Sequence, residues 1–94
     1  GINEIVYCQS ENNYTVFVLT GNEKIIVSKG LYEYEELLPK EIFIRCHQSY
    51  LVNKTFVKSL YKEDGVYLIK MKNGVTIPVS RAKKEFVKCR LMPH

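Results

Sequence analysis

Residues Phe43-Ile-Arg-Cys-His-Gln-Ser-Tyr-Leu-Val-Asn53 are the most informative stretch of this chain. The stretch begins with apolar Phe43 and Ile44, passes through a polar run from Arg45 to Ser49, and becomes apolar again before Asn53. Apolar and β-branched residues on both sides of a short polar segment are typical of two strands joined by a turn. The stretch therefore predicts a strand, a polar tip and a second strand.

Downstream of this hairpin, two turn signals enclose a segment rich in apolar and aromatic residues. Asp64-Gly65 and Asn73-Gly74 bracket Val66-Tyr-Leu-Ile-Lys-Met71, and both dipeptides supply the positive φ angles that tight hairpins require. Pro78 has no N–H and suits a strand end or a sheet edge. We therefore predict a three-stranded meander over residues 56–79.

The N-terminal part of the chain contains further strand-like segments. Residues Ile2 to Cys8 and Tyr14 to Leu19 are rich in β-branched and aromatic residues, which favour strands. The polar residues 9–13 between them predict a loop. A turn at residues 20–23 leads into Ile25 to Val27, a third short strand. This pattern predicts another meander.

Helical spacing appears between these two strand-rich regions. The apolar residues concerned are Leu31, Tyr34, Leu37 and Leu38. Residues three and four positions apart lie on one face of a helix. The spacing predicts a short helix that covers one end of a sheet, with Ser28 as its N-cap and Pro39 at its end.

A second helix is predicted near the C-terminus, with Ser80 as its N-cap and Pro93 preventing its continuation. The residues expected on its buried side are Ala82, Phe86, Val87 and Cys89 or Leu91. The basic residues expected to face water are Lys83, Lys84, Lys88 and Arg90. Such a lysine-rich face suits contacts with phosphates better than contacts with base edges.

Length and composition limit what the chain can be. Its 94 residues suffice for one domain with a single core, and 46% hydrophobic residues are typical of a globular domain. No apolar run approaches the roughly 20 residues that cross a bilayer, so we expect a soluble domain without a membrane association. Because the chain begins with Gly1 and not with Met, we expect residues 1–94 to be one domain of a longer protein.

The cysteines argue against disulfides and against a metal site. Cys8, Cys46 and Cys89 are odd in number and form no CxxC, which predicts a reducing, cytoplasmic location. Cys46 and His47 are adjacent, and adjacent side chains of a strand point to opposite faces. We therefore predict no metal, no cofactor and no enzymatic activity. Cys8 and Cys89 are expected in the core.

Charge is distributed unevenly along the chain. Residues 1–42 carry seven acidic against three basic residues, a balance of −4, whereas residues 43–94 carry eleven basic against three acidic residues, a balance of +8. The difference predicts a positive face directed at a polyanion. Because the basic residues are scattered, a lysine-rich surface that only faces water is the alternative.

These patterns predict a mainly β domain of about eight to ten short strands with two short helices, as a small barrel or as stacked sheets. Together with Ile77-Pro-Val-Ser-Arg81, the hairpin resembles the signature of the LytTR family of bacterial DNA-binding domains. That signature is matched at Phe43, Arg45, His47, Ser49, Tyr50, Val52 and Asn53. The resemblance implies several small antiparallel sheets with little helix.

The resemblance also implies a function, which is sequence-specific binding of duplex DNA by loops that enter successive major grooves. By position, the base-contacting candidates are Asn13 or Tyr14 on the first loop, Gln48 on the second and Arg81 on the third. A guanidinium pairs with guanine and a glutamine amide pairs with adenine in the major groove. The candidates for DNA backbone contacts or loop support are Arg45, His47, Ser49, Lys54, Ser80, Lys83 and Lys84.

Several of these residues have ordinary structural explanations as well. Gln48 is also explained as a solvated turn residue, and Arg81 as a residue that contacts only a phosphate. His47 is explained equally well as a buried residue that orients the loop and as a DNA contact. His47 and Ser49 are also explained as ordinary residues of a turn between paired strands. Asn53 is expected to bond backbone groups at a strand end.

The family implies partners outside this chain. These are paired promoter sites, an N-terminal receiver domain and a cognate histidine kinase, in a two-component transcription regulator that dimerises on DNA. From its apolar core and the absence of a ligand cluster, we predict that the isolated domain is a monomer. Two other classes of protein remain as alternatives. One is a small β-barrel that binds single-stranded nucleic acid through its seven tyrosines and four phenylalanines. The other is a protein-interaction module that uses exposed edge strands.

Overall fold

The computed structural model describes residues 1–92 as eight strands and two α-helices, with short 3-10 turns between some of them. The strands are β1 (Ile5–Glu11), β2 (Tyr14–Leu19), β3 (Lys24–Val27), β4 (Phe43–His47), β5 (Tyr50–Asn53), β6 (Val57–Glu63), β7 (Val66–Met71) and β8 (Thr76–Pro78). The helices are α1 (Leu31–Leu37) and α2 (Lys84–Leu91). The predicted class, a mainly β domain with small antiparallel sheets and two short helices, is confirmed.

A five-stranded antiparallel sheet has the strand order β3-β2-β1-β5-β4. Its central strand β1 begins with four consecutive buried residues, Ile5 to Cys8. Val6 and Tyr7 belong to one core, whereas Ile5 and Cys8 belong to the other. A strand that is covered on both faces has a continuous apolar run in place of alternation, which explains why this segment lies in the middle of the sheet.

The three-stranded meander is confirmed as a second sheet with the order β6-β7-β8. Asp64 and Gly65 form the first turn with φ angles of 51° and 82°, and Gly74 has a φ of 92° in the second. The prediction for Asn73 is wrong, because Asn73 is not one of the residues with a positive φ angle. Its side-chain oxygen instead accepts a hydrogen bond from the Val75 N–H at 3.1 Å, as asparagine does in turns.

Two cores lie on opposite faces of the five-stranded sheet. On one face, Ile44 and Val52 pack into a cluster with Ile69 of the second sheet, and Val87 of α2 closes it. On the other face, Leu31 of α1 joins residues of β1, β4 and β5. The second sheet and the two helices therefore cover both faces of the five-stranded sheet.

Asn53 connects the ends of three segments in the buried interior. Its side-chain Nδ2 donates to the carbonyl of Ile5 at 2.8 Å, and its Oδ1 accepts from the N–H of Thr55 at 2.9 Å. The residue is 2% exposed. The expectation that Asn53 bonds backbone groups at a strand end is confirmed.

The boundaries of the first strands differ from the prediction. A 3-10 turn at Ile2–Glu4 precedes β1, and β1 continues through the polar residues that were predicted as a loop. Ser10 pairs with Thr15, and Glu11 pairs with Tyr14. Only Asn12 and Asn13 form the turn, because backbone pairing extends the hairpin regardless of side-chain polarity.

The predicted details of α1 are partly wrong. Gly30, not Ser28, is the N-cap, and its N–H donates to the carboxylate of Glu33 at 3.3 Å. Leu37 is 69% exposed, although it was predicted on the apolar face. At about 100° per residue, Leu37 lies roughly 120° around the helix from Leu31, so the two cannot share a narrow face.

The predicted start of the last helix is partly wrong, because Ser80 is the N-cap position of a 3-10 turn that precedes α2. Arg81–Lys83 form a 3-10 turn, and α2 begins only at Lys84. The Ser80 side chain makes no capping hydrogen bond; its carbonyl accepts the Lys83 N–H at 3.0 Å. Pro93 lies outside the described residues. No helix within residues 1–92 is long and apolar enough to cross a membrane.

The buried face of α2 was assigned incorrectly from the sequence. Val87 is fully buried as predicted and Leu91 packs partly buried against the same core, but Ala82, Phe86 and Cys89 are exposed. The basic residues that were expected to face water, Lys83, Lys84, Lys88 and Arg90, are half-buried. Long basic side chains can cover apolar surface with their stems and keep the charged end in water. The Lys88 ammonium accordingly lies 5.4 Å from the centre of the Tyr67 ring.

Candidate nucleic-acid interface

Three connections come together at one end of the five-stranded sheet: the β1–β2 turn, the β4–β5 turn and the link from β8 to α2. The N–H of Ser10 donates to the carbonyl of Ser49 at 2.8 Å, and the N–H of Ser80 donates to the carbonyl of Cys46 at 3.0 Å. These hydrogen bonds place the second connection between the first and the third. We call this surface the three-loop end. Its residues are Asn12, Asn13, Gln48, Ser49, Ser80, Arg81, Lys83 and Lys84.

The first connection is the two-residue turn at Asn12 and Asn13. Asn12 has a φ of 55°, in the left-handed region that asparagine tolerates better than most residues. Asn13 is exposed at the turn, and Tyr14, at the start of β2, is 50% exposed. Tyr14 borders a groove with Val16 and Ile26. Both first-loop candidates are therefore accessible, but Asn13 is the one at the tip.

The second connection is shaped by the guanidinium of Arg45. Its Nε donates to the carbonyl of His47 at 2.8 Å, and its Nη2 donates to the carbonyl of Gln48 at 2.5 Å. Its Nη1 pairs with Oε1 of Glu35 in α1 at 2.6 Å. Arg45 uses its fork of donors inside the protein, which places it as a support of the loop.

His47 contributes to the same turn. Its Nδ1 accepts the N–H of Ser49 at 3.0 Å, so the neutral ring carries its proton on Nε2. The ring lies edge-on to Tyr50 with the centroids 5.6 Å apart. With Arg45 and His47 both engaged in the turn, the exposed side chain at its tip is Gln48.

The third connection carries three basic residues, Arg81, Lys83 and Lys84. Arg81 is exposed, and within residues 1–92 no hydrogen bond or ion pair holds its guanidinium. Lys83 borders a groove with Gln48, on the side of the second connection. Lys84 borders another groove with Arg81 and Gly65, on the side of the β6–β7 turn. The positive charges thus flank the base-contacting candidates of two connections.

Lys54 is the one predicted site residue that lies elsewhere. Its N–H donates to the carbonyl of Ile42 at 2.8 Å, just before the start of β4. Lys54 follows the C-terminal end of β5, whereas the β4–β5 turn precedes its N-terminal end. A four-residue strand separates the two by about 13 Å. Lys54 instead borders a groove with Lys58 and Arg90.

Cys46 is not a candidate for nucleophilic or metal chemistry. The side chain is fully buried, and burial raises the pKa of its thiol to about 12. A thiolate is the form that attacks electrophiles or binds metals. In the described part of the chain no group of three or more His, Cys, Asp or Glu residues could hold a metal ion.

Two parts of the site were missed by the sequence interpretation. Glu35 was counted only as an acidic residue of the first helix, and the turn at Asp64-Gly65 only as a hairpin signal. Neither the ion pair of Glu35 with Arg45 nor the position of Gly65 beside Arg81 has a signal in local sequence. Both depend on how distant segments pack.

Comparisons with known proteins bear on the family of this chain. The family model described as LytTr DNA-binding domain matches residues 1–92. The transcriptional regulatory protein YpdB of Escherichia coli K12 is 33% identical over 88 residues, which are 90% of this chain and 36% of that protein. The sensory transduction protein LytT of Bacillus subtilis is 37% identical over 79 residues, which are 83% of this chain and 32% of that protein. The chain therefore spans about a third of the length of these relatives.

A solved structure shares the whole architecture. A LytTr DNA-binding domain from Bacillus cereus superposes with a TM-score of 0.88 at 29% sequence identity, over 98% of this chain and 84% of that one. The eight strands in two antiparallel sheets and the two helices are thus an arrangement that the family uses. The match of the family model over residues 1–92, the similarity to transcription regulators and the shared fold lead to one conclusion. This chain belongs to the LytTR family of DNA-binding domains.

Proposed function

We propose that this chain binds duplex DNA sequence-specifically by inserting the three-loop end into successive major grooves on one side of the duplex. The observation that carries the proposal is the convergence of three connections through the hydrogen bonds from Ser10 to Ser49 and from Ser80 to Cys46. A major groove about 12 Å wide exposes a distinct pattern of donors and acceptors for each base pair. Exposed polar side chains on such loops can reach those patterns without a recognition helix.

The side chains divide into base contacts and backbone contacts under this proposal. Gln48 pairs its amide with an adenine, Arg81 pairs its guanidinium with a guanine, and Asn13 or Tyr14 contacts a base from the first loop. Lys83 and Lys84 flank these positions and neutralise phosphates, and the hydroxyls of Ser49 and Ser80 donate hydrogen bonds to phosphate oxygens. Arg45 and His47 shape the second loop.

We further propose that the chain is the output domain of a longer two-component transcription regulator. A receiver domain phosphorylated by a histidine kinase would then promote dimerisation on paired promoter sites. The support for this proposal is the similarity to YpdB and LytT, of which the chain spans about a third. The first of these relatives is named as a transcriptional regulatory protein and the second as a sensory transduction protein.

The rival class, a single-strand binder with an aromatic platform, fits the structure less well. Tyr7 and Phe43 are buried in the two cores. The rings of Phe17 and Tyr34 pack edge to face with centroids 4.7 Å apart. Rings that are occupied by the core cannot stack on bases, and the exposed rings of Tyr14, Tyr32 and Phe86 belong to three different elements, β2, α1 and α2.

The test is selection of a duplex from a random-sequence pool by the 94-residue chain. The selected duplex, a scrambled duplex of the same composition and each single strand are then titrated across a salt series. We expect the selected duplex to bind most tightly, with an affinity that falls steeply as salt rises. Equal or tighter binding of the single strands would contradict the proposal, as would equal binding of the two duplexes.

A further inference from the structure

The tip of the second loop is connected to helix α1 through Arg45, one of the signature residues of the hairpin. Glu35 belongs to α1 and is ten residues before Arg45 in sequence. Its Oε1 lies 2.6 Å from Nη1 of Arg45, whose other two nitrogens donate to the carbonyls of His47 and Gln48. One guanidinium thus connects the carboxylate of α1 to both sides of the residue that the proposed function assigns to base contact.

We propose that Glu35 is a positioning residue for DNA recognition, which acts through Arg45 to hold the Gln48 turn in the shape that binds DNA. The inference rests on the proposed function and adds a residue to it. Arg45 retains 16% exposure of its side chain and Glu35 retains 36%, so the ion pair is partly shielded from water. A carboxylate in that position selects one orientation of the planar guanidinium, which in turn aligns its two donors with the turn carbonyls.

If only its charge mattered, Glu35 would weaken DNA binding, which is the opposite of the effect of a positioning residue. Glu35 borders the same groove as Gln48 and Lys83, close to where the phosphates of a bound duplex would lie. A negative charge there repels DNA and offsets the nearby Lys83 ammonium. If Glu35 acted only through its charge, its removal would strengthen binding to every duplex. A positioning role instead predicts weaker binding to the selected duplex, because the disordered turn must then be ordered on binding.

Glu36 provides a matched control on the same helix. Its side chain is 77% exposed, and its carboxylate lies 3.5 Å from the ammonium of Lys40, away from Arg45. Glu35→Gln and Glu36→Gln change the net charge of the chain equally. Any effect of net charge on DNA binding is therefore common to both variants. Loss of the local repulsion at Glu35 would strengthen binding, so weaker binding by Glu35→Gln alone reports the contact with Arg45.

The experiment measures binding of wild type, Glu35→Gln and Glu36→Gln to the selected and the scrambled duplex across a salt series, with melting temperatures. We expect Glu35→Gln to bind the selected duplex about fivefold more weakly, which is about 1 kcal/mol at 1.4 kcal/mol per tenfold. Its affinity for the scrambled duplex should be unchanged or slightly higher. Its salt slope should be unchanged or slightly steeper. Glu36→Gln should not lose affinity for either duplex.

Arg45→Lys is a second test of the same contact, since an ammonium keeps the charge but cannot hold three acceptors in one plane. It should lose discrimination between the duplexes in the same direction as Glu35→Gln. The inference is overturned if Glu35→Gln behaves like Glu36→Gln, if it weakens both duplexes equally, or if Arg45→Lys discriminates as well as wild type. If the wild-type chain itself binds both duplexes equally, the proposed function fails, and the inference falls with it.

Discussion

The second and third connections of the three-loop end use the same residue type in opposite ways. Arg45 directs its guanidinium inward, to two turn carbonyls and to Glu35, and its side chain is 16% exposed. Arg81 is exposed, and in the described part of the chain no hydrogen bond or ion pair engages its guanidinium. One arginine therefore maintains the shape of a loop, and the other is available to a ligand.

This difference shows that a cation near a binding surface is not by itself a contact residue. Three of the five N–H donors of Arg45 are already used, so a DNA base would have to compete with three protein acceptors. The donors of Arg81 face no such competition. We therefore expect substitutions at the two positions to differ in their effect on stability.

The largest effect is expected for Arg45→Ala. Loss of its charge-assisted hydrogen bonds should lower the free energy of unfolding by about 2 kcal/mol and the melting temperature by about 10 °C. Affinity for the selected duplex should fall by about 3 kcal/mol, because binding must then order two turn residues at about 1.5 kcal/mol each. Thermal denaturation and duplex titration measure the two effects.

Arg90→Ala is the matched control for this variant. Arg90 donates from Nη2 to the carbonyl of Lys40 at 2.6 Å and borders the groove of Lys54, away from the three-loop end. Its loss should lower stability without lowering the ratio of selected to scrambled affinity. Should Arg45→Ala retain that ratio, the inward role of Arg45 would not matter for recognition.

Arg81→Ala is expected to have the next largest effect, and on affinity alone. Loss of a two-pronged guanine contact should cost about 1 to 3 kcal/mol on the selected duplex and relax the preference at one base pair. The melting temperature should not change, since the guanidinium bonds nothing in the described chain. Titrations on duplexes substituted at each base pair identify the relaxed position. An equal loss on scrambled DNA would indicate a phosphate contact.

Lys84→Ala should produce a smaller and uniform loss. Lys84 borders the groove beside Arg81, where an ammonium is expected to neutralise one phosphate. Binding to selected and scrambled duplex should weaken alike, and the salt slope should fall by about one unit. A salt series on both duplexes measures this. A change in sequence preference would exchange the roles assigned to Lys84 and Arg81.

Lys54→Ala is expected to have the smallest effect. The residue was a candidate for a backbone contact on sequence grounds, but it lies at the opposite end of β5 from the Gln48 turn. Its replacement removes the same charge as Lys84→Ala and should leave the salt slope within about 0.3 units of wild type. If Lys54→Ala and Lys84→Ala reduce the salt slope by the same amount, the bound DNA extends beyond the three-loop end.

Most of the strand pattern could be predicted from the sequence. The stretch from Phe43 to Asn53 has a short polar segment between apolar residues, and it forms β4, the Gln48-Ser49 turn and β5. Asp64-Gly65 forms a turn with two positive φ angles as predicted. These features are local, because turn chemistry and side-chain alternation act between residues a few positions apart.

The sequence by itself determined the strands, the principal turns and the family signature of this protein. Only the tertiary structure decided the exposed face of α2 and the partner of Arg45. The eight-residue α2 buries Val87 completely but rests its half-buried lysines on neighbouring surface, so its amphipathic pattern is too short to identify the face. The pairing of Glu35 with Arg45 depends on where α1 packs against the five-stranded sheet, and a distance between separate elements is not encoded in the residues beside either partner.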